Sequence, residues 1–388
     1  MFAFLLILPT FAFVPIYFFI FPAIYIVAKK SLQGDFSYLP QSFNKINVNL
    51  LIIIAIVLAS AINKWFHWGD ELTILEFIPY TIATLIAFFL AKHLKEKDLK
   101  IIVWLIVIEG IVVIFQYFLG VNTFFSALDH FNDKISENPD LMYNRRALGL
   151  SQNSSIAAYK FFIGYLILDY FKLKRSVFFL ARIILIAGIF FTFNRTVFLV
   201  AFIYLLFSML RLYSPIINNL LENRVHKKHI KYLLLAIISL LFLAVVSVVY
   251  YDLIINQVTR GNGIDLSGRG KIWQDFRSFI SENILFGNGS EKYYVPHRGK
   301  LAHAHNSFLQ VWAVHGVLIL GLYLLLILRN INKRNLIFVI LIVVYSLFQY
   351  GIFWGISLLD IVFFYFLFFG SSNTQDNKNE LVVNDSSS

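Results

Sequence analysis

Long apolar segments separated by short polar loops dominate this sequence of 388 residues. Hydrophobic residues make up 59% of the chain and charged residues only 14%, and the mean hydropathy is +0.73. Soluble domains average roughly 45–50% apolar and about 25% charged residues, so the composition predicts an integral membrane protein. Cysteine is absent, which excludes disulfides and thiol catalysis.

The apolar segments predict an all-α fold, a polytopic transmembrane helix bundle, because a spanning helix needs about 20 mostly apolar residues. We expect residues 1–370 to form one membrane domain and residues 371–388 a disordered cytoplasmic tail. Pro9, Pro15 and Pro22 predict a kinked first span, and a re-entrant pair there would raise the count from about eleven to twelve. The expected spans are 2–28, 47–63, 74–92, 100–119, 155–171, 177–194, 196–212, 232–251, 307–328, 336–352 and 354–370.

The basic residues predict the orientation of these spans, since short loops rich in Lys and Arg stay on the cytoplasmic side. Five basic stretches fall on alternate loops: Lys29–Lys30, Lys92–Lys100, Lys172–Arg175, Arg211–Lys231 and Arg329–Arg334. This pattern places the C-terminus inside and the N-terminus outside. Three features then face outside, namely the loop 120–154, the turn Thr192–Thr196 and the large loop 252–306.

The large outer loop contains an amphipathic segment at 266–286, which Gly287 is expected to end. Its apolar residues recur at the spacing of one helix face: Ile272, Phe276, Phe279 and Ile280. We expect a helix that lies at the outer membrane interface with its apolar face toward lipid. Arg269 in its first turn would add a bidentate phosphate clamp to a helix N-terminus that already favours anions. The alternative is a surface helix whose Arg269 and Arg277 are merely solvated.

The same loop ends in His303, His305 and Asn306, at the start of an apolar span. Histidine is the commonest general base, and nearby arginines would lower its pKa and keep the ring neutral. Asn306 is placed to orient the ring or a substrate hydroxyl. The alternatives are interfacial polar residues or a metal site with His297. Two-residue spacing on a helix and the lack of a paired carboxylate argue against the metal.

Further charged residues stand in or beside the spans. Arg195 lies at the outer end of a span, where a guanidinium is costly unless it faces a cavity or a partner. Arg145 and Arg146 precede the fifth span and offer a second grip on a phosphate or an acidic sugar. Glu109, in the middle of a span, is a functional candidate under the same rule, and its alternative role is pairing with another polar group. Structural pairing is the expected role of His315 and Asp360, which also lie inside spans.

Together these residues resemble the O-antigen polymerase and O-antigen ligase superfamily of bacterial inner membranes. The resemblance covers roughly residues 140–325 and rests on the order and spacing of Phe193–Thr196, Ser267–Arg269 with Ile272–Trp273, Phe286–Gly289, and His303–Gln310 followed by Gly316. The ligase pattern is only partly kept, because Ile319 stands where a small residue or Tyr is expected.

The resemblance implies glycosyl transfer at the periplasmic face, with no metal or other cofactor, from a glycan on undecaprenyl pyrophosphate. It implies that Arg195 and Arg269 hold the pyrophosphate and that His305 activates the acceptor hydroxyl. Positive charge where the leaving group becomes negative fits this chemistry independently. The preferred function is an O-antigen polymerase of lipopolysaccharide biosynthesis; the alternative is the ligase that transfers the glycan to lipid A-core. Expected partners are the lipid-linked oligosaccharide, the lipid bilayer and a chain-length regulator, but not nucleic acid.

A flippase or solute transporter is the alternative from another class. Transporters keep charged groups near the bilayer midplane and show internal repeats. This chain instead concentrates its candidate groups at one face and shows no evident repeat, which favours the enzyme. A structural membrane protein is a further alternative.

Overall fold

A computed structural model describes seven stretches of the chain, residues 1–33, 48–69, 72–137, 142–171, 173–221, 269–297 and 299–369. The regular secondary structure of the described residues is helical apart from one short β-hairpin. Three of their helices are long and apolar enough to cross a membrane: Val48–Trp68, Glu96–Phe118 and Ser307–Asn330. The predicted span 232–251, the predicted tail, Ser267 and Gly268 lie outside the described residues, and the span count stays a prediction.

The helices follow one another along the chain, and the hairpin lies between the eleventh and twelfth. Their bounds are α1 Phe2–Ile7, α2 Ile20–Leu32, α3 Val48–Trp68, α4 Ile74–Phe77, α5 Ile82–His93, α6 Glu96–Phe118, α7 His130–Glu137, α8 Ser154–Leu168, α9 Arg175–Phe191, α10 Arg195–Leu221, α11 Arg269–Glu282, β1 Val295–His297, β2 Lys300–Ala302, α12 Ser307–Asn330, α13 Leu336–Phe348 and α14 Leu358–Phe364. Pro9 and Pro15 fall between α1 and α2, where the helix is interrupted, so the predicted kink is present.

Contacts along α8 and α10 show that these helices run in the same direction. Asn194, just before α10, donates from its amide to the Ser155 hydroxyl at the start of α8 (3.4 Å). Ten residues further along both helices, the rings of Tyr165 and Tyr204 lie 5.4 Å apart. The first turns of α8 and α10 therefore lie at the same end of the bundle.

Helix α13 runs antiparallel to that pair. The Phe162 ring near the middle of α8 faces Tyr345 late in α13 (5.8 Å), whereas Tyr170 after α8 faces Phe338 early in α13 (4.8 Å). The last turn of α13 thus lies at the end of the bundle where α8 and α10 begin. We call this the histidine end, because the connection before α12, which carries His303 and His305, joins it through Ser307.

Basic loops occupy the opposite end. Lys100 at the start of α6 lies 5.5 Å from the ring centroid of Phe171, beyond the last residue of α8. Asn335 at the start of α13 donates to the carbonyl of Phe366 beyond α14 (3.3 Å). These contacts are consistent with the prediction that the basic stretches, such as Lys92–Lys100, lie on one side, which is this end of the bundle. Which side of a membrane that end faces remains a prediction.

A fully buried ion pair joins α6 to α8. The Lys160 ammonium contacts the Glu109 carboxylate, and both side chains are 0% exposed. Oxygen Oε1 of Glu109 also accepts from the Leu150 N–H and the Ser151 hydroxyl, both at 3.0 Å. Gly149 has φ +62°, and a Cβ there would lie 2.7 Å from the same oxygen. The pair therefore fixes the loop before α8 at the histidine end, and Glu109 takes the alternative role, pairing with another polar group.

Helix α12 is broken at Gly316, whose backbone has a positive φ (φ 81°, ψ 176°) that side-chain-bearing residues rarely adopt. A Cβ at this position would lie 1.9 Å from the Leu285 carbonyl oxygen, so only glycine fits. The chain after α11 enters the gap and satisfies the interrupted helix. Three backbone hydrogen bonds of 2.8–2.9 Å join Val317 to Ile284, Asn288 to Ala313 and Ser290 to Val314.

The predicted amphipathic helix is present as α11, but its predicted end and the predicted environment of its apolar face are wrong. It ends at Glu282, because the following residues are needed to fill the gap in α12 rather than to continue to Gly287. Its buried residues Ile272, Phe276 and Ile280 pack against the hairpin and α12, not toward lipid. A narrow apolar stripe fits a protein neighbour as well as a membrane surface, so periodicity alone does not separate the two. The hairpin was not predicted.

Replacing Lys160 with Met leaves the Glu109 carboxylate buried without its counter-charge, and we expect a loss of roughly 3–5 kcal/mol of unfolding free energy. Thermal unfolding of the detergent-solubilised protein measures it. The matched control is Lys100→Met, which removes an exposed i,i+4 pair with Glu96 worth about 0–1 kcal/mol. Adding Glu109→Gln to Lys160→Met should recover much of the loss. Equal melting temperatures for the two single variants would contradict a structural role of the buried pair.

Candidate functional site

The segment that carries His303 and His305 is held from both sides of its backbone. The indole N–H of Trp273 donates to the carbonyl of Ala304 (2.6 Å), and the Ala304 N–H donates to Oε1 of Gln310 (2.8 Å). Gln310 is buried, and Ala304 is 0% exposed. Both backbone groups of the residue between the two histidines are therefore satisfied by side chains, one from α11 and one from α12.

The two imidazole rings lie together, with centroids 4.1 Å apart. The His305 N–H donates to Nδ1 of His303 (3.1 Å), so the neutral His303 ring carries its proton on Nε2. His303 also stacks on Tyr350 at 4.7 Å. His305 has a positive φ of 49° and interacts with the side chain of Gln349. Its Nδ1 is buried and has no hydrogen-bond partner among the described residues.

Arg269 starts α11 and lies close enough to act on both rings. Its Nη1 donates to the carbonyl of Phe348, the last residue of α13, where helix carbonyls lack intrahelical partners. Burial, with the Arg269 charge as a second cause, lowers the pKa of His303 to about 4. Burial, the His303 ring and the Arg269 charge lower the pKa of His305 to about 3. Both rings are therefore neutral near pH 7, as a general base must be.

The connection between α13 and α14, which carries Tyr350, is held by two buried side chains. The Ser307 hydroxyl accepts from the Gly351 N–H (2.9 Å). The Asp360 carboxylate accepts from the Phe353 N–H (2.9 Å) and the Ser357 hydroxyl (2.6 Å). Asp360 thus has the pairing role that the sequence predicts, and the connection is fixed against the first turn of α12.

Arg195 lies at the histidine end, as the first residue of α10. The Tyr204 and Phe338 rings lie 6.4 Å apart, and α10 runs antiparallel to α13. Arg195 is nine residues from Tyr204 and Phe348 is ten residues from Phe338, so both stand about 14–15 Å beyond this contact along the bundle. The structure therefore places Arg195 and the Arg269–Phe348 contact at similar depth.

The remaining predicted residues are spread around this centre. Arg145 is exposed, and the Arg146 guanidinium lies 5.5 Å from the centroid of the Phe131 ring. Arg277 is exposed on α11, two turns or about 12 Å along the axis from Arg269. Oδ1 of Asn306 accepts from the Leu309 N–H (3.0 Å), which makes Asn306 the N-cap of α12. Substrate binding by these residues stays a prediction.

The residues that contact the two histidines were not predicted from the sequence. Tyr350 and Gln349 contact them from a loop that follows 44 residues later, and no local pattern indicates this contact. Trp273 and Gln310 enter the sequence analysis only within the ranges of the resemblance. A glutamine one turn into an apolar helix is a signal, because a buried side-chain amide needs a hydrogen-bond partner such as a backbone group. Among the described residues no group of three His, Asp or Glu side chains has metal-binding geometry.

The apolar helices and the polar cluster at one end of them define a helical membrane protein. Residues 180–324 match the O-antigen ligase family model, which confirms the predicted resemblance for that part of the chain. The match covers less than half of the sequence and contains Arg195, Arg269, His303 and His305, whereas Arg145 and Arg146 precede it. It indicates a function of the O-antigen ligase or polymerase type. No curated protein and no solved structure matches the chain.

Replacing Arg269 with Gln removes the positive charge beside the two rings, so the pKa of His303 and of His305 should rise. Burial remains, and each pKa should stay below about 6.5, the ordinary value for histidine. In the wild type both rings should remain neutral as the pH falls from 7 to 5. Titration of ¹⁵N-labelled histidines by NMR measures this, with Lys271→Gln as the matched control on the same helix. Unchanged titration in Arg269→Gln would show that the guanidinium does not act on the rings.

Proposed function

We propose that this protein is a glycosyltransferase that moves a glycan from undecaprenyl pyrophosphate to an acceptor hydroxyl, in the manner of an O-antigen polymerase. The observation that carries this proposal is the Arg269 charge beside two half-buried, neutral histidines, one of which has a ring nitrogen without a hydrogen-bond partner among the described residues. The family match, which contains all three residues, supports it.

In the proposed reaction, Nδ1 of His305 takes the proton of the acceptor hydroxyl. The acceptor oxygen forms a bond to the anomeric carbon, and the bond between that carbon and the pyrophosphate oxygen breaks. Undecaprenyl pyrophosphate leaves with the electron pair of the broken bond. Arg269 and Arg195 stabilise the negative charge that develops on it, which is where preorganised positive charge has its largest effect on rate.

The charge of Arg269 also links donor binding to the base. Without a donor, the guanidinium contributes to the low pKa of His305, and the ring is a weak base. A bound pyrophosphate brings negative charge to the same place and offsets the guanidinium. The pKa of His305 then rises toward the pH at which the enzyme works, and general-base catalysis becomes more effective as it does so. Donor binding thereby activates the base that takes the proton of the acceptor hydroxyl.

The alternative is the ligase, because the matched family model carries that description. Polymerase and ligase share the donor, the leaving group and the need for a base, and they differ in the acceptor. The departure of the sequence from the ligase pattern at Ile319 favours the polymerase. Under either reading, the histidine end would face the periplasm from the inner membrane, and a chain-length regulator is the expected protein partner of a polymerase.

The lipopolysaccharide banding pattern of a strain that lacks this gene tests the proposal. Core capped by one repeat unit, without a ladder, identifies a polymerase; bare core with accumulated lipid-linked polymer identifies a ligase. Complementation with His305→Ala should lower transfer by about 10²–10⁴-fold, the usual contribution of a general base, and leave no visible ladder. Arg269→Ala and Arg195→Ala should likewise fail to restore it.

The matched control is Lys100→Ala, which removes a positive charge at the opposite end of the bundle and should restore a full ladder. Amounts of each variant in the membrane are compared by immunoblot. A full ladder from stably expressed His305→Ala or Arg269→Ala would contradict the proposed roles. An unchanged ladder in the deletion strain would contradict a function in O-antigen assembly.

A further inference from the structure

A polar cavity lies at the histidine end, between the last turns of α3 and the segment that fills the gap in α12. It has a volume of about 390 Å³, within the roughly 300–1,000 Å³ range of ligand pockets. Its charged lining residues are two lysines, Lys64 and Lys292, and two glutamates, Glu76 and Glu291. Because these charges balance, the cavity suits a neutral hydroxylated ligand better than a phosphate.

Two buried polar atoms near this cavity lack partners. The Tyr80 hydroxyl, on the cavity lining, is buried and makes no hydrogen bond among the described residues. The ring of Tyr80 lies 4.8 Å from that of His315, whose Nε2 is likewise buried without such a partner. Buried polar groups are normally satisfied, and an unsatisfied one calls for an explanation such as a ligand or water. Lys64, 7% exposed, is instead held by Glu291 at 2.5 Å.

A row of aromatic rings leads from the cavity to the histidines. Tyr80 lies 5.3 Å from Trp354, Trp354 lies 5.5 Å from Tyr350, and Tyr350 stacks on His303 at 4.7 Å. Tyr350 is 39% exposed and Trp354 is half-buried. Sugar rings present apolar C–H faces that stack on aromatic rings, while their hydroxyls need hydrogen-bond donors and acceptors. The aromatic row supplies rings for stacking, and the cavity supplies hydrogen-bond donors and acceptors for the hydroxyls.

We infer that the cavity and this aromatic row form the subsite for the acceptor glycan, with its reactive hydroxyl at His305. The inference rests on the proposed function for the identity of the acceptor. Arg269 and the histidines lie at one end of the row and the cavity at the other. An acceptor oligosaccharide that fills the cavity and extends along the row brings its reactive hydroxyl to the base, beside a pyrophosphate at Arg269. The Tyr80 hydroxyl, Lys64 and Glu291 bind the sugar hydroxyls.

The test is calorimetric titration of the full-length protein in nanodiscs with two probes. One probe is the free oligosaccharide repeat unit, released by mild acid from the lipid-linked glycan of the host; the other is inorganic pyrophosphate. Trp354→Leu should weaken oligosaccharide binding by at least about tenfold, as expected for a central aromatic contact. Tyr80→Phe, which removes only a hydroxyl without a hydrogen-bond partner among the described residues, should weaken it by about three- to tenfold. Pyrophosphate binding should not change in either variant.

Matched controls are Trp104→Leu, which alters a partly exposed tryptophan on α6, and Tyr17→Phe, which alters a tyrosine that is 72% exposed; both should bind the oligosaccharide as the wild type does. The inference is overturned if the wild type does not bind the oligosaccharide. It is also overturned if both cavity variants bind it normally, or if they lose pyrophosphate binding to the same extent. These titrations need no turnover, so a full ladder from His305→Ala or Arg269→Ala would refute the proposed reaction separately from the subsite.

Discussion

Backbone groups and charges inside an apolar bundle must find partners within the protein, because lipid offers none. At the histidine end this requirement is met by buried side chains that bond to loop backbones. Glu109 holds the loop before α8, Gln310 and Ser307 hold the two segments around the start of α12, and Asp360 holds the connection after α13. These four buried polar residues therefore shape the loops at the end of the bundle that carries the candidate site.

The two histidines differ in whether their ring nitrogens take part in holding the fold together. They are only two positions apart, yet Nδ1 of His303 accepts a backbone hydrogen bond while Nδ1 of His305 has no such partner among the described residues. The first ring is thus fixed in one tautomer and stacked on Tyr350. In the proposed reaction, Nδ1 of the second ring takes the substrate proton, and a bound donor offsets the Arg269 charge that weakens this ring as a base.

Much of this follows from the sequence because the relevant signals are local. Helical spacing predicts α11, and the residue types predict a base beside a phosphate-binding cation at Arg269. The cavity does not follow, since Lys64 and Glu291 are 227 positions apart and meet only through the fold. The strands are three residues long, too short for an alternation pattern to register. The sequence also does not predict what the apolar face of α11 packs against, because a lipid surface and a protein neighbour favour the same apolar residue types.

The interruption of α12 has a consequence for the rigidity of the site. The chain after α11 is bonded to α12 on both sides of Gly316, at Ala313 and Val314 before the break and at Val317 after it, and α11 carries Arg269. Arg269 also donates to the carbonyl of Phe348 at the end of α13. The proposed base and the proposed cation are therefore fixed to one frame of backbone hydrogen bonds, so the spacing between them does not depend on an unbroken α12.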